Sequence, residues 1–73
     1  MKRTFKLDGL ECANCAAKME RGIQKIDGVT NASVNFLTTK LVIEADEALM
    51  AAIIPHAEKI VKKIESHVVM RAV

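Results

Sequence analysis

The chain has 73 residues and a net charge of +2, with positive and negative residues mixed along its length, a balance too weak and too even for a nucleic-acid surface. Its apolar fraction of 51% is ample for one packed core over residues 1–73, but Phe5 and Phe36 are its only aromatics, so Ile, Val, Leu, Met and Ala must build that core. No run of about 18 apolar residues occurs, so no direct membrane insertion is expected.

Arg3 to Leu7 alternates, with Phe5 and Leu7 on one face and Thr4 and Lys6 on the other, the period of a half-buried strand. Asp8-Gly9 ends it, and a loop runs from Leu10 to Asn14. Ala16, Met19, Ile23 and Ile26 then recur at helical spacing, with Lys18, Glu20, Arg21 and Lys25 on the opposite side. Asp27-Gly28 stops this helix, Gly28 being free to turn left-handed. Ala32, Val34 and Phe36 alternate with Ser33 and Asn35 as a second strand. Leu37 to Lys40 is a short turn, and Leu41 and Ile43 continue as the other arm of a hairpin. The next helix carries Ile53, Ile54, Ala57, Ile60, Val61 and Ile64 as its apolar stripe. Proline suits a first helical turn and breaks an interior, so the main helix is expected to start near Pro55, with Glu47 to Ala52 a looser lead-in. His67 to Ala72 is the last strand. Met19, Met50 and Met70 fall at core positions by the same periodicities.

Strand, helix, strand, strand, helix, strand is two strand-helix-strand units, each with a right-handed crossover. The simplest closed arrangement is α+β, the ferredoxin-like βαββαβ sandwich: a four-stranded antiparallel sheet with two helices on one face. First and last strands are then antiparallel neighbours. The loop after the first lies beside the loop before the last, which places Cys12 and Cys15 near Glu65, Ser66 and His67. His56, beside Pro55, falls at the far end and is expected to be solvent-exposed.

The chemistry concentrates in the segment Gly9-Leu10-Glu11-Cys12-Ala13-Asn14-Cys15-Ala16. The only two cysteines stand three apart at a strand-to-helix junction, where both sulfurs can converge on one ion. Thiolates suit soft and borderline metals. A helix N-terminus lowers thiol pKa and favours the ligating form. Two sulfurs alone suit linear copper(I); a tetrahedral divalent ion needs further donors. Glu11, next to Cys12, is the candidate third donor, and an oxygen beside two thiolates suits zinc, cadmium or lead better than copper(I). Its alternative is a solvated loop charge. Glu65 and His67 are further candidates if the neighbouring-loop geometry holds. Against that stands a plain surface carboxylate and a partly exposed strand histidine.

These residues resemble the Gly-Met-x-Cys-x-x-Cys signature of heavy-metal-associated domains, with Leu10 in place of the usual Met, supporting the loop from beneath. The resemblance spans nearly the whole chain, including Ile26-Asp27-Gly28-Val29 and Ala32-Ser33-Val34-Asn35-Phe36. Members of that family are free metallochaperones or N-terminal domains of metal-exporting P-type ATPases. An acidic residue before Cys-Ala-Asn-Cys-Ala is similar to the cadmium/zinc/lead exporters, where copper members more often carry Thr. The loop Ile64-Glu65-Ser66-His67 also lacks the Lys or aromatic residue of the copper pattern. The resemblance thus implies one Zn²⁺, Cd²⁺ or Pb²⁺ ion, with Cu⁺ the runner-up. It implies transfer by ligand exchange to, or regulation of, a membrane-embedded P-type ATPase in the same or a partner chain, or exchange with a metallochaperone. With no nucleotide or phosphorylation motif, the chain is not itself an enzyme. A monomer is expected, with a metal-bridged dimer as the alternative.

Two rival readings use the same cysteines. Cys-x-x-Cys at a helix start is also a thiol-disulfide oxidoreductase motif. Ala13-Asn14 lacks the Gly-Pro or Pro-Tyr pairs usual there, and Pro55 opens a helix rather than preceding a strand. A structural disulfide across so short a loop would stabilise little. No apolar signal segment follows the basic start Met1-Lys2-Arg3-Thr4-Phe5. The expected location is therefore the reducing cytoplasm, where both thiols stay reduced.

Overall fold

A computed structural model describes all residues from Met1 to Val73. The elements follow in the order β1 (Lys2–Asp8), α1 (Ala13–Gln24), β2 (Val29–Asn35), β3 (Lys40–Ala45), α2 (Glu47–Ile64) and β4 (Val69–Ala72). The strands form one sheet in the order β2-β3-β1-β4. Every pairing is antiparallel, Phe5 standing opposite both Leu41 and Ala72. This is the βαββαβ sandwich expected from the sequence.

Alternation builds the sheet side of the core: Phe5 and Leu7 from β1, Ala32 from β2, Leu41, Ile43 and Ala45 from β3, Met70 from β4. Helical spacing builds the other side: Ala16, Met19 and Ile23 from α1, Met50, Ile53, Ala57 and Val61 from α2. All belong to one cluster, so both helices cover the same face of the sheet. No buried side chain is polar or charged. The three methionines at core positions are buried as the periodicity requires. Gly28 takes the expected left-handed φ of +96°, but α1 ends earlier, at Gln24: Lys25 is its C-cap and buried Ile26 lies in the turn beyond, its N–H bonded to the Ile23 carbonyl at 3.1 Å.

Several boundaries differ from the sequence reading, and three of the differences have a clear local reason. β2 ends at Asn35, not Phe36, because the Asn35 side-chain oxygen accepts from the backbone N–H of Leu37 at 2.9 Å and of Thr38 at 3.3 Å. That Asx-type turn competes successfully with the ladder, and Phe36 is left exposed at the hairpin. β4 begins at Val69, not His67: the Val68 N–H bonds the Glu65 carbonyl at 3.1 Å, closing a turn over Glu65 to Val68. α2 runs unbroken through Pro55. An interior proline costs about 3 kcal/mol where the freed carbonyl is stranded. Here Ala51, four residues back, and Pro55 itself are both exposed, so water reaches the freed carbonyl. Buried Met50 and Ile53 before the proline and Ala57 and Val61 after it pin both halves to the sheet. The Asp46 side chain caps the helix by accepting from the Ala48 N–H at 3.1 Å.

The free edge of β2 is partly closed by α1. Gln24 donates its side-chain amide to the Ala32 carbonyl at 2.8 Å, and Glu20 accepts from the Val34 N–H at 2.8 Å. Four residues apart, the two side chains occupy backbone groups that would otherwise be open to another strand. The double substitution Glu20→Ala/Gln24→Ala is expected to destabilise the fold by about 1–3 kcal/mol and to increase self-association. Thermal denaturation with sedimentation analysis checks both effects.

Candidate metal centre

Gly9 turns the chain off β1 with a φ of +90°. A side chain there would be strained, and its Cβ would stand 3.4 Å from the His67 ring and 3.5 Å from the His67 carbonyl. Leu10 is 5% exposed and anchors the loop from beneath, the role expected of it. Cys12 is the N-cap of α1: extended at φ −115° and ψ 116°, its sulfur accepts from the Cys15 N–H at 3.3 Å. That bond and the helix's positive end both favour a thiolate. Cys15 lies one turn along, packed partly against the core. Both cysteines are free and partly exposed.

The turn between α2 and β4 brings Glu65 to the same point. The Cys15 thiol donates to Glu65 Oε1 at 2.9 Å. One donor atom from each of Cys12, Cys15 and Glu65 lies within 4.8 Å of the other two. The sulfurs are electrostatically unequal. The Cys12 thiol is pulled below its ordinary value, first by the hydrogen bond from the Cys15 thiol and then by the Cys15 backbone N–H. The Cys15 thiol is pushed up to about 12, first because its S–H hydrogen-bonds the Cys12 sulfur and then because it hydrogen-bonds the Glu65 carboxylate. The pair therefore keeps a proton on Cys15 and offers Cys12 as the readier nucleophile.

The remaining candidates fall outside this triad. Glu11 is exposed, and its carboxylate is not among the three converging donors. His67 is also outside it, but its Nδ1 stands 3.3 Å from Glu65 Oε2 and its Nε2 lies 3.1 Å from the Gly9 carbonyl. His56 is exposed on α2, where it lines a shallow notch with Ile26 and Asp27 just beyond α1. Asp8, the acid next to Gly9, is held by Arg71: its Oδ2 accepts from Arg71 Nε at 2.8 Å. That bond keeps the Asp8 carboxyl below the usual carboxylate range. It straps β4 to β1 beside the site and leaves Asp8 committed elsewhere. The Gly9 carbonyl as an anchor for the loop before β4 was not legible as a specific contact. Only the adjacency of the two loops pointed to it.

Two thiolates and a carboxylate form a soft-to-borderline donor set at a partly exposed edge. No helix of the chain is long and apolar enough to cross a membrane. The sequence profile of the heavy-metal-associated domain matches residues 4–68. The chain is 39% identical over 71 residues to the cadmium, zinc and cobalt-transporting ATPase of Bacillus subtilis (strain 168), covering 97% of this chain and 10% of that protein. It is 38% identical over 50 residues to the zinc/cadmium/lead-transporting P-type ATPase of Escherichia coli (strain K12), covering 68% of this chain and 7% of that one. The chain thus spans a tenth or less of the length of these curated relatives. Among solved structures it resembles the N-terminal domain of a potential copper-translocating P-type ATPase from Bacillus subtilis in the Cu(I)-loaded state. That match has 30% identity and a TM-score of 0.77, covering 97% of this chain and 84% of that one. The matched profile, the ATPase relatives and the shared fold agree with the converging thiols: the chain belongs to the heavy-metal-associated domain family, a non-catalytic metal-binding unit.

Proposed function

We propose that this chain, as one domain over residues 1–73, binds a single Zn²⁺, Cd²⁺ or Pb²⁺ ion through Cys12, Cys15 and Glu65, with Glu11 as a further oxygen donor. The observation that carries the reading is the Glu65 carboxylate seated on the Cys15 sulfur at 2.9 Å. A divalent ion displacing the thiol proton meets that carboxylate already in place. Copper(I) is content with two sulfurs and gains little from a hard oxygen. In a tetrahedral zinc site the ligand atoms lie roughly 3.5–4 Å apart. Donors within 4.8 Å therefore need only a small contraction to close around an ion. Glu11 is next to Cys12 on an exposed loop, where no packing opposes its turning inward.

The ion is cargo rather than a resident cofactor. Held by few ligands at an accessible edge, it passes to incoming donors by stepwise exchange without release as a free ion. The cadmium- and zinc-transporting relatives support a role in delivering metal to, or regulating, a membrane-embedded P-type ATPase, fused or separate, on its cytoplasmic side. A metallochaperone is the alternative exchange partner. A second molecule sharing the ion between exposed loops is the alternative to a monomer.

The copper(I)-loaded structural relative supports the competing assignment. Competition titration of the reduced chain separates the two. Glu65→Ala is expected to weaken Zn²⁺, Cd²⁺ and Pb²⁺ by about tenfold to a hundredfold and to leave Cu⁺ within about twofold. Glu11→Ala is expected to show the same preference with a smaller loss. Equal losses for Cu⁺ and the divalent ions would overturn the divalent reading.

A further inference from the structure

The end of the sheet that launches the cysteine loop also carries the β2–β3 hairpin. The Leu7 N–H donates to the Thr39 carbonyl at 2.8 Å, and Lys6 Nζ donates to the Thr38 carbonyl at 2.9 Å, just before the chain turns at Gly9. At the hairpin tip Leu37 is 92% exposed, the most of any large exposed apolar side chain, and Phe36 is exposed beside it. The open face of the sheet, opposite the helices, is cationic at the same level. Lys6 stands opposite Lys40 on β3 and opposite Arg71 on β4, so three cations cross three strands in one row. Their strand neighbours Phe5, Leu7, Leu41 and Met70 are buried, which turns the three cations to the open face. Like charges directly opposite one another are destabilising. Arg71 is paired with Asp8, but Lys6 and Lys40 have no carboxylate partner. Negative charge to offset those two has to come from outside the chain.

We propose that the hairpin tip, Phe36 and Leu37 with Lys6 and Lys40 behind it, docks on an anionic lipid surface without spanning it. Apolar side chains at the boundary between headgroups and acyl chains, with lysines set to meet acidic headgroups, combine the two contributions that membrane attachment needs. An acidic protein segment would meet the lysines but leave Leu37 in water unless it also offered a fitted pocket; a bilayer takes both. The lysines of α2 supply only one contribution, since Lys59, Lys62 and Lys63 stand with Glu58 around a shallow depression lined by no apolar residue. The other carboxylates at the tip's end, Glu11 and Glu65, belong to the cysteine edge. Docking by the tip brings that edge to the bilayer whichever ion it holds, so the inference does not depend on the metal assignment. Two apolar side chains and two lysines attach less firmly than a myristoyl chain, which makes the contact weak and reversible.

The test is co-sedimentation of the chain at millimolar lipid. One set of vesicles is phosphatidylglycerol and phosphatidylcholine in equal parts, the other phosphatidylcholine alone. Binding is expected on the mixed vesicles only. Leu37→Asp should weaken it about tenfold, and Lys40→Gln about fivefold. Leu49→Asp, the same change at an exposed leucine of α2, and Lys59→Gln should each stay within about twofold of wild type. Both lie in the helix layer of a molecule whose thinnest extent is 16 Å, beyond the screening length of about 8 Å in physiological salt. Circular dichroism checks each fold; all four side chains are exposed, so none should be lost. The chain has no tryptophan, so Leu37→Trp reports on the tip alone. Its emission should shift to the blue on mixed vesicles, and that of Leu49→Trp should not. No binding to mixed vesicles, equal binding to phosphatidylcholine, or an unshifted Leu37→Trp emission overturns the proposal. So does a Lys59→Gln loss as large as that of Lys40→Gln, which puts the contact on α2. Binding to polyglutamate in place of mixed vesicles assigns the lysines to an acidic protein and overturns it too.

Discussion

Cys12→Ser and Cys15→Ser, made separately, are each expected to abolish tight metal binding while leaving the fold intact. Apparent binding free energies of four-ligand structural zinc sites are on the order of 10–16 kcal/mol, or roughly 3 kcal/mol per ligand. At about 1.4 kcal/mol per factor of ten, losing one thiolate weakens binding on the order of a hundredfold or more. The fold should survive because neither cysteine belongs to the buried core, which is closed by Phe5, Leu7, Met19, Leu41, Ile43, Val61 and their neighbours. Serine is the informative replacement at Cys12. Its hydroxyl can still accept from the Cys15 N–H and cap α1, whereas alanine would also remove the cap and cost about 0.5–2 kcal/mol. Comparing Cys12→Ser with Cys12→Ala by thermal denaturation therefore separates the capping role of the residue from its ligating role. The two variants should bind metal equally poorly and differ in stability. A Cys12→Ser protein that keeps near-native zinc affinity would show that this sulfur is no ligand.

The sequence showed the sandwich readily because most elements announce themselves twice, by period and by terminator. Phe5 and Leu7 alternate and stop at Asp8-Gly9; Ala16, Met19 and Ile23 recur at helical spacing before Gly28. It misled where local and tertiary preferences compete. Pro55 argues for a break, yet its exposed face and the buried residues on either side keep α2 whole. Phe36 argues for one more strand residue, yet the Asn35 side chain takes the backbone N–H groups into a turn. At the metal site the cysteines were legible from spacing alone. The structure places the candidate oxygen donors otherwise than their order in sequence suggests. Glu11 is one residue from Cys12 and outside the triad, while Glu65 is fifty residues from Cys15 and hydrogen-bonded to it. Sequence adjacency says little about where a loop side chain points. Strand adjacency, which follows from the topology, says more: β1 pairs with β4 from Asp8 opposite Val69, so the turns just beyond those residues must face each other.

Metal affinity is expected to rise with pH throughout the neutral range, because the site starts out holding a proton. In the metal-free chain the Cys15 thiol is pushed up to about 12, its proton kept on Cys15 by hydrogen bonding to the Cys12 sulfur and the Glu65 carboxylate. The Cys12 thiol is shifted the other way, below its ordinary value. Both sulfurs must be thiolates when they ligate, so protons compete with the ion and acid weakens binding. Above the Cys12 pKa one proton leaves per ion bound, and apparent affinity gains about tenfold per pH unit. Below it two protons leave, and the slope steepens toward about a hundredfold per unit. The gain levels off only as pH approaches about 12, where Cys15 ionises unaided. Calorimetric titration with Cd²⁺ in two buffers of different ionisation enthalpy counts the protons directly. Glu65→Ala should lower the Cys15 pKa, since one of the groups holding its proton is gone. The single-proton regime then ends at a lower pH, even as Cd²⁺ affinity falls for want of the carboxylate. These opposite effects distinguish a carboxylate that ligates from one that merely stores the proton: the storing role alone predicts that removing Glu65 strengthens Cd²⁺ binding at neutral pH, and the ligating role predicts that it weakens it.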